Sequence, residues 1–333
     1  MRCFWDPRQL AHAPAIEMHN GRIEPCAEVP ARAQAILNAV GATELPIDHG
    51  ERPILAVHPQ PYVDFLKSAH ADWLSAGREG DALPYAFPVA RRRPVKLDRI
   101  DARLGRFSYD TCTPIAAGTW TSAYWNVQTA LSALDPLLAG ERSTFALCRP
   151  PGHHCGADYM GGYCYLNSAA IAAEAASAAG RRVAILDIDY HHGNGTQDIF
   201  YGRGDVFFAS IHADPASDYP FYWGHAEETG EGEGEGATLN LPLPRGTTLA
   251  GFEQALDQAL ERIAAFGADI LICSYGADTY LGDPISYFSI ETTDYPVLAR
   301  RIAALGVPTL VVMEGGYAVD ALGANVAAFL SGF

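Results

Sequence analysis

From about residue 143 onward, short apolar runs bounded by turn residues alternate with Ala-rich amphipathic stretches. The runs at 143–148, 183–188, 206–211, 239–241, 270–274 and 309–313 predict buried strands, and the stretches at 168–179, 249–266 and 295–305 predict helices. Strand-helix alternation of this kind predicts an α/β fold, a central mostly parallel sheet flanked by helices on both faces. The first 110 residues are less regular. Their pattern predicts helices at 29–40 and 61–76 and a Pro/Arg-rich loop at 87–96. Neither a fixed-period repeat nor a Ser/Gly linker divides the chain, so 1–333 reads as one domain. The Glu/Gly run at 227–236 predicts an exposed loop.

Composition narrows the classes of function. The 333 residues are 49% hydrophobic and 19% charged, enough to bury a large core rather than remain disordered. With 23 Lys+Arg against 39 Asp+Glu the net charge is −16, which disfavours nucleic acid and favours a small cationic substrate. Seven cysteines, an odd number without a Cys-x-x-Cys pair, suit reduced thiols. No apolar run reaches membrane-spanning length and the N-terminus lacks a secretory pattern, so a cytoplasmic location without membrane attachment is expected.

Ligands of open α/β sheets bind beyond the carboxyl ends of the strands. There the sequence places Pro151-Gly152-His153-His154, Asp187-Ile188-Asp189-Tyr190-His191, His212-Ala213-Asp214, Gly276-Ala277-Asp278 and Glu314-Gly315-Gly316-Tyr317. If residues 187–191 are extended, Asp187, Asp189 and His191 share one face. Two carboxylates and an imidazole call for a cation or shared protons, and Asp278 brings an Asp/His/Asp metal site within reach. The His153-His154 doublet suits proton transfer, with Asp187 and Asn194 as the nearest orienting acceptors. Tyr317, after two glycines, is a phenol able to stabilise an oxyanion.

In order and spacing these motifs, with Asp283-Pro284 and His191-His192-Gly193-Asn194-Gly195, resemble the zinc-dependent histone deacetylase superfamily. The likeness is strongest to its bacterial acetylpolyamine amidohydrolase branch and covers nearly the whole chain. The resemblance implies the arginase/deacetylase fold and Zn2+, or Fe2+, on Asp189, His191 and Asp278. It implies His153 and His154 as the acid/base pair, backed by Asp187 and Asn194, and Tyr317 on the oxyanion. A structural K+ is implied on Asp187, Asp189, His191, Ser210 and Ile211. The substrate tunnel is expected to have Tyr163 and Tyr219 as walls, Ile285 at its rim, Asp110 holding substrate amides and Glu17 at its mouth. The expected activity is removal of acetyl or short acyl groups from N-acetylated polyamines such as acetylputrescine or acetylcadaverine; the rival is an acyl-lysine deacylase acting on protein or peptide. Residues 75–93 resemble an insertion that narrows the mouth and makes a homodimer contact in this branch.

Overall fold

A computed structural model describes residues 1–89 and 96–333. The elements in chain order are β1 (Arg2–Phe4), β2 (Ile16–His19), β3 (Arg22–Pro25), α1 (Ala31–Val40), α2 (Arg52–Val57), α3 (Gln60–Ser75), α4 (Ile100–Arg106), α5 (Thr119–Leu138), β4 (Ser143–Ala146), α6 (Ser168–Ala178), β5 (Val183–Asp187), α7 (Asn194–Phe200), β6 (Val206–Ala213), β7 (Thr238–Leu243), α8 (Leu249–Phe266), β8 (Ile270–Tyr275), α9 (Tyr295–Ala304), β9 (Thr309–Met313) and α10 (Val319–Leu330). Seven strands form one sheet in the order β1-β4-β9-β8-β5-β6-β7, with every neighbour parallel. β2 and β3 form a separate antiparallel hairpin.

Alternation along the strands explains the layers. On one face Ala184, Leu186, Leu271, Cys273 and Val311 pack against α1, α8, α9 and α10. On the other, Val183, Ile185, Ile272, Leu310 and Val312 pack against α5 and α6. Strands covered on both faces have no polar side to show, which is why their sequences are continuous apolar runs. A further cluster built on Tyr62, Phe65, Leu66, Leu104 and Phe107 stacks α3 and α4 over Val127 and Leu131 of α5.

That third layer explains an element the hydrophobic pattern does not reveal. α5 is buried on two sides, with Ala130, Leu134 and Leu137 toward the sheet and Val127 and Leu131 toward α3 and α4. A helix enclosed in this way lacks the polar stripe from which periodicity is read. β1 is also additional, a three-residue edge strand on β4. The expected 75–93 insertion and 87–96 loop fall partly outside the described residues. Residues 76–89 are irregular, touching the body through an Ala82–Ile115 bridge.

The sheet order also places the site. β5 is followed in the chain by its neighbour β6, and β8 by its neighbour β9 on the opposite side. Connections therefore leave the adjacent pair β5 and β8 in opposite directions, opening a crevice at their carboxyl ends. The Asp189 and Asp278 segments emerge there.

Candidate metal centre

β5 ends at Asp187, which lies in register between Ser210 of β6 and Ser274 of β8. Beyond it the backbone turns instead of staying extended. Asp187 Oδ1 accepts from Asp189 N–H at 3.1 Å, Asp189 Oδ1 from His191 N–H at 2.9 Å and Asp278 Oδ1 from Tyr190 N–H at 2.9 Å. The expected three-residue face over 187–191 is therefore divided. Ligand atoms of Asp189, His191 and Asp278 lie within 4.8 Å of one another, while Asp187 Oδ2 turns to His153 Nδ1 at 3.0 Å.

Glycines make room for this cluster. A Cβ at Gly276 would collide with the Asp189 carboxylate, and one at Gly315 would crowd both Asp189 and Asp278. Gly315 N–H instead donates to Asp189 Oδ2 at 2.8 Å. Among the described residues, neither Asp189 nor Asp278 is paired with a lysine or arginine, and His191 Nδ1 stands 3.2 Å from Asp278 Oδ2 and 3.4 Å from Asp189 Oδ1. Burial together with the neighbouring Asp189 charge pushes the Asp278 carboxyl up to about 7. Burial pulls His191 down, but the two carboxylates outweigh it and raise it to about 10.

The two histidines of the doublet sit in different electrical settings. Their rings are 4.1 Å apart between centroids. His153 donates through Nδ1 to a carboxylate, because Asp187 can only accept. Burial works against its charge, yet Asp187 and Asp189 raise it to about 10. His154 Nδ1 faces the amide oxygen of Asn194 at 2.7 Å, and burial, His153 and His191 hold it well below the ordinary range. Only His154 of the pair lines the cavity above the centre.

That cavity encloses about 550 Å3. Tyr163, Tyr219, Tyr317, Asp110 and Ile285 all line it. The Tyr219 hydroxyl donates to Asp110 Oδ2 at 2.8 Å, and the same oxygen accepts from Gly162 N–H at 2.6 Å, fixing both walls to one carboxylate. Tyr163 and Tyr317 have ring centroids 5.5 Å apart. Glu17 is placed differently from the expectation. It is 3% exposed and stands behind the wall, accepting from the Tyr163 hydroxyl at 3.0 Å and from Ala27 N–H at 3.2 Å. The hairpin places Glu24 directly across from Glu17, and Glu24 is the hairpin carboxylate that lines the cavity. None of residues 75–89 lines it; its outer part is bounded by the β2–β3 hairpin, 217–221, Arg245 and 284–287.

Other buried polar groups brace these loops and were given no role from sequence. Glu28 and Arg32 are ion-paired at 2.8 Å, and Arg149 joins the same carboxylate at 2.8 Å. Burial opposes ionisation of Glu28, but Arg149 and Arg32 outweigh it and hold the carboxyl below its usual range. Arg32 also donates to the carbonyls of Glu314 and Gly316, both at 2.6 Å, and its guanidinium lies 4.7 Å from the Tyr317 ring centroid. Asp283 Oδ2 accepts from Tyr317 N–H at 2.7 Å. The four-residue spacing of Glu28 and Arg32 was the one local signal for this frame.

Residues 23–333 match the histone deacetylase domain model. The chain is 50% identical to acetylpolyamine amidohydrolase 2 of Pseudomonas aeruginosa over 99% of this chain and 97% of that protein. It is 47% identical to the acetylpolyamine amidohydrolase of Mycoplana ramosa, covering 99% of this chain and 98% of the relative. The crystal structure of acetylpolyamine aminohydrolase from Burkholderia pseudomallei superposes with a TM-score of 0.96 at 40% identity, covering 100% and 98% of the two chains. Domain match, extended identity and superposed fold agree, and the chain belongs to the histone deacetylase family.

Proposed function

We propose that the chain is a metal-dependent amidohydrolase that removes acetyl or short acyl groups from N-acetylated polyamines, acetylputrescine and acetylcadaverine among them. The observation that carries this reading is that one cavity brings together His191 of the Asp189/His191/Asp278 cluster, His154, the Tyr317 phenol and two further tyrosine walls.

The donor set fits a divalent ion. Two carboxylates and one imidazole supply two negative charges and three ligand atoms, leaving coordination positions open. Oxygen and nitrogen donors of this kind suit Zn2+ and also Fe2+. Asp189, His191 and Asp278 would hold it, and a bound ion supplies Lewis acidity toward water and the amide carbonyl. A K+ on Asp187, Asp189, His191, Ser210 and Ile211 belongs to the same proposal. Supporting it, Asp187 is fully buried, in register with Ser210, and beside a Ser274 hydroxyl that has no hydrogen-bond partner among the described residues.

The chain's own groups divide the proton work. With Nδ1–H on Asn194, His154 offers Nε2 as the acceptor for a proton from attacking water, and returns it to the departing amine nitrogen as the C–N bond breaks. His153, held through Nδ1 on Asp187 with its ring 4.1 Å from that of His154, completes the imidazole pair behind the cavity wall. Burial holds Tyr317 as a protonated phenol, so its hydroxyl donates to the developing oxyanion. Tyr163 and Tyr219 clasp an alkyl chain and exclude water. Asp110 and Glu24, both lining the cavity, and the net charge of −16 favour a cationic amine.

A homodimer contact through 75–93 is supported by Tyr85 and Val89, which are 71% and 66% exposed, with Phe87 between them. Seven free cysteines support a reducing, cytoplasmic setting; among the described residues no helix is long and apolar enough to cross a membrane.

Specificity constants for acetylputrescine, acetylcadaverine, acetylspermidine and an acetyl-lysine peptide, measured side by side, test the substrate. The acetylated amines are expected to exceed the peptide by about tenfold or more. A peptide preferred over all three would assign the chain to acyl-lysine removal instead.

A further inference from the structure

Glu314 belongs to neither the metal cluster nor the acid/base pair, yet it is fully buried beside the His153 backbone. Its Oε2 accepts two successive backbone donors, Gly152 N–H at 2.6 Å and His153 N–H at 3.2 Å. Its own backbone follows β9 and begins the Glu314-Gly315-Gly316-Tyr317 turn, with Glu314 N–H donating to Tyr275 O at 2.8 Å. One side chain thus spans the turn that carries Tyr317 and the turn that carries His153 and His154. Among the described residues, the second oxygen, Oε1, is buried without a hydrogen-bond partner. A buried carboxylate with one unpartnered oxygen is a poor choice for stability alone. What it supplies is an acceptor reaching two N–H groups that the sheet leaves unpaired.

We propose that Glu314 is a positioning residue for amide hydrolysis: its carboxylate fixes the backbone at Gly152 and His153 and so sets where the His154 ring meets the substrate. The inference rests on the hydrolytic reading above. The effect is transmitted through geometry, because a displacement of about 1 Å at a proton-transfer group lowers turnover by about 10²-fold. Gln at this position keeps an oxygen acceptor for Gly152 and His153, while its amide nitrogen takes the unpartnered Oε1 position. Ala removes the acceptor altogether.

The test uses the metal-loaded protein and acetylcadaverine, in a wild-type background and again with His154→Ala. Turnover by wild-type protein is measured first, and its absence there would count against the hydrolytic reading rather than against Glu314. Glu314→Ala is expected to lower kcat by about 30-fold or more while KM and bound metal stay within about threefold. Glu314→Gln is expected to lower the melting temperature yet keep kcat within about fivefold of wild type. In the His154→Ala background Glu314→Ala is expected to add less than about threefold, since a residue acting through that ring has nothing left to position. Losses that multiply in the double variant, or a fall in kcat matched by loss of metal, would overturn the proposal. So would Gln as slow as Ala.

Discussion

His154→Ala is expected to lower kcat for acetylated diamines by about 10²–10⁴-fold while leaving the bound metal in place. The size follows from what remains. His154 is the one member of the doublet that lines the cavity, and His153 is committed through Nδ1 to Asp187. Without His154 no other neutral imidazole on that wall can take a proton from water and return it to an amine. Bound metal should be unaffected because the ion's donors are Asp189, His191 and Asp278, and His154 contributes no atom to that cluster. Turnover and metal content measured on one preparation check both halves. Wild-type turnover would remove His154 from the chemistry, and loss of the ion would place it in the wrong role.

Asp278→Asn is expected to weaken metal binding by more than about 10²-fold and to reduce hydrolysis to the level of the metal-free protein. Asparagine keeps the shape and an oxygen to accept from Tyr190 N–H, the bond that Asp278 Oδ1 makes at 2.9 Å. The fold should therefore survive. What is lost is one of the two negative charges that balance the ion. In the metal-free chain that charge is a burden: burial and Asp189 push the Asp278 carboxyl up to about 7. Removing it should leave the metal-free variant no less stable than metal-free wild type, and only the wild type should gain in melting temperature on adding Zn2+. Equal stabilisation of both proteins by Zn2+ would contradict the assignment of Asp278.

Much of this was legible in the residues because the central strands β5, β8 and β9 are largely apolar runs whose chemistry sits at or just past their ends. β9 has the bounds that its apolar run predicts, and β5 and β8 differ by one residue at their carboxyl ends. Two of the elements that the apolar pattern does not reveal have clear physical reasons. α5 is enclosed by two layers and shows no polar stripe, while β1 owes its existence to β4 rather than to three residues of its own. Alternation across Asp187–His191 was too simple a reading. Side-chain to backbone bonds turn the chain after Asp187, and that turn separates the carboxylate facing His153 from those in the cluster. Glu17 and Glu24 show a limit of another kind. They oppose each other in the hairpin, and which one reaches the cavity depends on Tyr163 occupying the space in front of Glu17. Contacts of that sort join residues far apart in the chain, and in the Arg32–Glu28–Arg149 frame only the four-residue Glu28–Arg32 spacing is local.

The most direct measurement is elemental analysis of the purified protein alongside its turnover of acetylcadaverine before and after exhaustive chelation. A stoichiometric divalent transition ion, loss of turnover on its removal and recovery on adding Zn2+ or Fe2+ are the expected results. Protein that carries no such ion and works at full rate in the presence of the chelator would contradict a metal centre on Asp189, His191 and Asp278.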